Sequence, residues 1–144
     1  MFEIEKIKYN IMERPIVGIA ALIINENNEV LLGLRNSELG KNTWAPPGGK
    51  LDKFESFQTC IIREVKEETN LDINNLVFIC VTNDIKEDID AHYVTLFFST
   101  TEYTGYEKVM EPEKCLEWKW FNPKELPENL FFPFKNFLEG NFIG

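Results

Sequence analysis

Glu64, Glu67 and Glu68 stand within five residues of one another in a chain whose formal net charge is already −9. With about 100° of rotation per helical residue and Glu64 as origin, Glu67 falls near −60° and Glu68 near +40°, so the three carboxylates share one helix face. Like charges at these spacings repel by a few tenths of a kcal/mol per pair. Phe57 and Ile61 fall near +20° and +60° on the same scale, so the glutamates border an apolar stripe instead of opposing it. Carboxylates at such a border need partners, and Arg63 and Lys66 are the only cations close in sequence. A solvated acidic face is one reading. The other is a hard divalent cation, Mg²⁺ or Mn²⁺, which oxygen ligands suit and which keeps positions open for water or phosphate.

The elements that must carry this face can be read around it. From Ser56 to Thr69 the pattern predicts a helix, with Phe57, Ile61 and Val65 every four residues, Ser56 as N-cap and Asn70 as a left-handed C-cap. Before it, "NTWAPPGGKLDKF" is broken by Pro46, Pro47, Gly48 and Gly49 and predicts an ordered loop. "PIVGIAALII", "NENNE" and "VLLGLR" predict two strands joined as a hairpin. Beyond the helix, "LVFICVT" and "HYVTLFFST" predict strands connected by the acidic "NDIKEDIDA", and "CLEWKWF" a third, with Trp118 and Trp120 on one face. Phe97 and Phe98 are assigned to the core. Pro123 opens a helical turn, and residues 131–138 predict an apolar terminal helix. The class is mixed α and β.

The 144 residues, 44% hydrophobic, suit one domain over 1–144. A pI near 4.7 argues against a surface that gathers phosphate backbones unaided, and so against a nucleic acid polymer as partner. Cys60, Cys80 and Cys115 are odd in number and widely spaced, which suits reduced, buried thiols in the cytoplasm. Neither a signal-peptide core nor a membrane-length apolar run is present in the sequence. His92 stands alone without a recognisable nucleophile partner.

Gly49, five residues, Glu55, seven residues, then Arg63-Glu64-Val65-Lys66-Glu67-Glu68-Thr69-Asn70-Leu71 resembles the Nudix hydrolase signature G-x5-E-x7-R-E-U-x-E-E-x-G-U, U being aliphatic. Asn70 replaces the last glycine, and asparagine tolerates the left-handed conformation. The strand order and the "EPEKCLEWKWFNPKELPENLF" segment are similar to MutT-like members that hydrolyse nucleoside triphosphates. The resemblance implies a Nudix α/β/α sandwich with a mixed central sheet.

It also implies roles. Glu64, Glu67 and Glu68 are carried over as ligands of Mg²⁺, with Mn²⁺ as substitute, and Gly49 is counted with them. Arg63 holds a catalytic glutamate by an ion pair. Glu55 is open between a second ion, a pair with Arg63, and a helix-start acid that suits the macrodipole. Gly48 and Gly49 suit a backbone that approaches the metal closely or takes positive φ. Glu67, Glu68, Glu111 or Glu113 serves as the base for the attacking water, with a merely solvated loop the equal alternative for the last two. Arg35 meets phosphate oxygens or lies on the surface, and Trp44 is a candidate to stack on a base. The implied activity is Mg²⁺-dependent hydrolysis of a nucleoside triphosphate to monophosphate and pyrophosphate. The rivals are another nucleoside diphosphate-linked substrate and a nucleotide-binding module without turnover. The aromatic strands are compatible with a homodimer.

Overall fold

The computed structural model describes residues 14–144. Strand β1 (Ile16–Ile23) is the organising element, because Ile19 through Ile23 are all buried. A strand buried on both faces needs neighbours on both edges as well. It has them: β4 (Gly48–Lys50) runs antiparallel on one side and β7 (Ala91–Thr100) parallel on the other, with β6 (Val77–Lys86) antiparallel beyond β7. The four-stranded sheet is therefore mixed, in the order β4-β1-β7-β6.

Alternation along β1 divides the interior in two. Ile19, Ala21 and Ile23 join Cys60, Ile61 and Val65 of helix α1 (Phe57–Thr69), while Ala20 and Leu22 join Phe97 and, from helix α2 (Phe132–Leu138), Phe134. One helix thus covers each face, as the sandwich requires. A second sheet, β3 (Trp44–Ala45), β2 (Val30–Arg35) and β9 (Cys115–Phe121), is antiparallel throughout and contributes Leu31 to one core and Leu32 to the other. A short ladder pairs β5 (Asp72–Asn74) with β8 (Glu102–Thr104).

Several expectations need correction. The turn at Asn25–Glu29 forms, but β1 and β2 meet only at the Ile24–Val30 bridge and then part into different sheets. The Pro-Gly stretch breaks helix as expected but still pairs as β3 and β4. Strand β6 continues through much of the acidic connector and turns only at a 3-10 segment, Glu87–Ile89. On α1 the buried positions are Cys60, Ile61, Val65 and Thr69, whereas Phe57 is exposed.

The ends of α1 are as expected. Ser56 Oγ accepts from Thr59 N–H at 3.1 Å, and Asn70, at φ 71°, donates its N–H to Lys66 O at 3.0 Å. A β-branched side chain resists this conformation by about 1–2 kcal/mol. Asn70→Val should therefore lower the urea-unfolding free energy by about that amount, while Asn70→Gly should equal or exceed the parent.

Candidate active site

Helix α1 positions its carboxylates by packing Ile61 and Val65 into the core, which turns the next residues of the helix toward β4. There Glu68 Oε1 accepts from Gly48 N–H at 2.9 Å. The Glu64 carboxylate lies against Gly49, so closely that a Cβ on Gly49 would overlap it. At Gly48 a Cβ would overlap the carbonyl oxygen of Ile19 on β1. Close approach, with no positive φ, is what both glycines permit.

Arg63 is the hub of the acidic face. It grips Glu55 through two nitrogens, at 2.8 and 3.0 Å, and reaches Glu64 at 3.0 Å, Asp52 at 3.2 Å and Glu67 at 3.3 Å. This fork holds the Glu55 carboxyl down at about 2, mainly by the Arg63 hydrogen bonds. Burial pushes Glu64 up, against the opposing pull of Arg63. Glu68 is pushed up to about 8, chiefly by burial, with the Gly48 N–H opposing and Glu64 and Glu111 adding to the rise. Lysine cannot reproduce a planar fork. Arg63→Lys should lower kcat/KM by about 10–100-fold, the scale for groups that orient metal ligands, with a melting temperature close to the parent's.

Glu64 and Glu68 line one cleft of about 470 Å³, together with Gly48, Gly49 and Arg35. Arg35 stacks on Phe131, 4.0 Å from the ring centroid, and donates to Leu39 O at 3.0 Å. Glu67 does not line the cleft: its side chain, 51% exposed, is turned to Arg63 by an i,i+4 ion pair. Trp44 is a correction. It is 9% exposed, packs edge-on against Phe121 at 4.9 Å, and belongs to the α2-side core and not to the cleft wall. The connection around "MEPEK" separates its two acids: Glu111 pairs with Lys114 at 3.4 Å and its charge reaches Glu68, while Glu113 is exposed.

Residues that the sequence did not assign to the site complete it. Trp118 lines the cleft and donates its Nε1–H to Glu68 O at 3.1 Å, fixing the last turn of α1. Gly33 makes room for it, since a Cβ there would come within 2.6 Å of the indole. Lys50 and Lys114 add cations to the cleft wall. The alternation in "CLEWKWF" was the available signal for Trp118; nothing local marked Gly33.

The donor set fits a hard cation. Glu68 is partly buried, and its one side-chain hydrogen bond among the described residues comes from a backbone amide instead of a cationic side chain. Among the described residues no three acidic, His or Cys side chains converge into a closed cage. Mg²⁺ does not demand one, being held by one or two carboxylates with water and phosphate completing the shell. Glu64 and Glu68 would hold it. No helix among the described residues is long and apolar enough to cross a membrane.

The NUDIX domain family pattern matches residues 14–139. The chain belongs to the Nudix family. Its fold matches a crystal structure of a MutT Nudix hydrolase from Burkholderia pseudomallei with a TM-score of 0.82 at 28% identity, covering 88% of this chain and 97% of that one. An ADP-ribose pyrophosphatase from Methanocaldococcus jannaschii is 28% identical over 124 residues, 86% of this chain and 72% of that protein. A NAD-capped RNA hydrolase from Pseudomonas putida is 28% identical over 109 residues, 74% of this chain but only 36% of that protein's length. The chain has the α/β architecture of that family, and it spans about a third of the length of the NAD-capped RNA hydrolases it matches.

Proposed function

We propose that this Nudix hydrolase converts a nucleoside or deoxynucleoside triphosphate to the monophosphate and pyrophosphate, a reaction suited to clearing unwanted nucleotides from a pool. The observation that carries the reading is the composition of the cleft. Three carboxylates, Asp52, Glu64 and Glu68, and three cations, Arg35, Lys50 and Lys114, line it together. That is a site for a chain of phosphates bound through a metal at one point and through cations at others. Its volume lies within the range of about 300–1,000 Å³ usual for small-molecule sites.

A divalent cation at Glu64 and Glu68 supplies neutralisation of the phosphate oxygens and a lowered pKa for the attacking water. The chain's own groups do the rest. Arg63 and the Gly48 amide fix the carboxylates, and Arg35 and Lys114 draw phosphate oxygens into line. A carboxylate takes the proton of the water as it attacks and the bridging P–O bond of the anhydride breaks. Between the two acids of "MEPEK", Glu111 is the better candidate for that proton, since its charge reaches Glu68 whereas Glu113 is exposed.

A second reading is favoured by the similarity to the ADP-ribose pyrophosphatase, namely that the substrate is a nucleoside diphosphate linked to another group. The net charge of −9 opposes a long RNA. A panel of triphosphates, ADP-ribose and a dinucleoside polyphosphate with Mg²⁺ tests this. The first reading expects the highest kcat/KM for a triphosphate. A higher value for ADP-ribose would replace it with the second, and no turnover of any would contradict both.

A further inference from the structure

The sheet face covered by α2 is apolar except at one place. Thr82, Asp84 and Thr95 are buried there at 1%, 0% and 6% exposure, beside Cys80, Phe97 and Phe134. Asp84 accepts two hydrogen bonds, one per carboxylate oxygen: Thr95 Oγ1–H at 2.6 Å and Asn136 Nδ2–H of α2 at 3.0 Å. Thr95 in turn lines the cleft that holds Glu64 and Glu68. Gly18 is its cross-strand neighbour on β1, and a Cβ there would come within 3.5 Å of the Thr95 hydroxyl, so glycine keeps this floor open.

A threonine hydroxyl has one proton and two lone pairs, and a carboxylate accepts only. Because the Thr95 proton goes to Asp84, what Thr95 offers the cleft is an acceptor. Its place in the sheet says which part of a substrate meets it. Lys50, Gly18 and Thr95 lie in one row across β4, β1 and β7, so Thr95 is two strand spacings, about 10 Å, from the strand whose glycines hold the carboxylates. The anhydride belongs at the β4 end, and the group that is not phosphate reaches β7. Thr82 stands directly across from Thr95 on β6, and its buried hydroxyl has no hydrogen-bond partner among the described residues. Thr82 therefore places no hydrogen bond on Thr95, and the Thr95 lone pairs are left for the cleft.

We infer that Thr95, oriented by Asp84 and Asn136, is a specificity-determining residue that reads an N–H donor on the nucleobase, so that bases carrying an exocyclic amino group are preferred over their desamino counterparts. The inference rests on the reading that the substrate is a nucleotide, but not on which bond is cleaved. Asp84 and Asn136 are positioning residues, since neither lines the cleft.

Binding of nucleoside monophosphates separates the two questions, because these ligands contain no anhydride. With Mg²⁺ present, calorimetry would compare adenosine with purine riboside monophosphate and guanosine with inosine monophosphate. The parent should bind at least one amino member about 10-fold more tightly than its desamino partner, the scale of one hydrogen bond to a buried acceptor. Thr95→Val should bring that ratio near one, and Thr95→Ser should retain it. Asp84→Asn should shrink or reverse the ratio, because an amide N–H can donate to Thr95 and release its hydroxyl proton toward the cleft. That variant decides alone should Thr95→Val fail to fold. A parent ratio near one for both pairs, no detectable binding of any of the four, or a ratio unchanged in Thr95→Val or in Asp84→Asn would overturn the inference. Failure of triphosphate turnover alone would not touch it.

Discussion

Glu68→Gln should lower kcat by about 10³-fold, the equivalent of the several kcal/mol that a divalent ion contributes to phosphate chemistry. The protein should remain at least as stable as the parent when both are melted without metal. The two effects have opposite origins in the same burial. Glutamine keeps the shape of the side chain and can still accept from Gly48 N–H, where the carboxylate now does so at 2.9 Å. It removes the negative charge that burial opposes, which is why the carboxyl is pushed up to about 8. A group retained against its own desolvation is retained for something other than stability. Loss of activity accompanied by a large fall in melting temperature would mean that Glu68 is chiefly structural.

The paired glycines should part company when each is replaced by alanine. At Gly48 the new methyl meets the backbone of β1, the carbonyl of Ile19 and, at 2.9 Å, the Cα of Ala20. Backbone within a ladder cannot step aside, so Gly48→Ala should cost about 1–3 kcal/mol of unfolding free energy, as overpacking does. At Gly49 the three atoms nearest the methyl all belong to the carboxyl end of Glu64, a flexible side chain that can swing away. Gly49→Ala should therefore melt close to the parent, yet lose about 10²-fold in kcat/KM, because displacement of about 1 Å at a catalytic group has that effect. Urea unfolding and steady-state kinetics on the two variants check both halves. Equal loss of stability in both would show that the close approach of Gly49 to Glu64 has no catalytic purpose.

Helix α1 was legible because its signals are local. A Ser N-cap and an Asn at the left-handed position depend on neighbours in sequence and both are present, while the four-residue apolar period holds at Ile61 and Val65 but not at the exposed Phe57. The acidic face was legible only as a set of residues on one arc. Glu67 turns outward to Arg63, whose fork also takes Glu55, eight residues earlier, while Glu64 and Glu68 face β4. Trp44 shows the same limit from the other side. Its place before Pro46 to Gly49 suggested an indole free to stack on a base, but β3 is only two residues long, and register against Leu34 turns the indole inward to Phe121. The supposed hairpin failed for a global reason, since β1 needs both of its edges for β4 and β7 and cannot also keep β2. Thr95 sits in "HYVTLFFST" as one more β-branched residue, and only the pairing of β6 with β7 under α2 brings Asp84 to it and Asn136 to Asp84.

The assignment of Glu64 and Glu68 to a metal-assisted cleavage of a nucleoside triphosphate is tested most directly by following the reaction by phosphorus NMR, with Mg²⁺, for the parent and for Glu68→Gln in parallel. The expected result is a nucleoside monophosphate and pyrophosphate in equal amounts from the parent and almost none from the variant. A diphosphate and orthophosphate as products, or equal turnover by the two proteins, would contradict it.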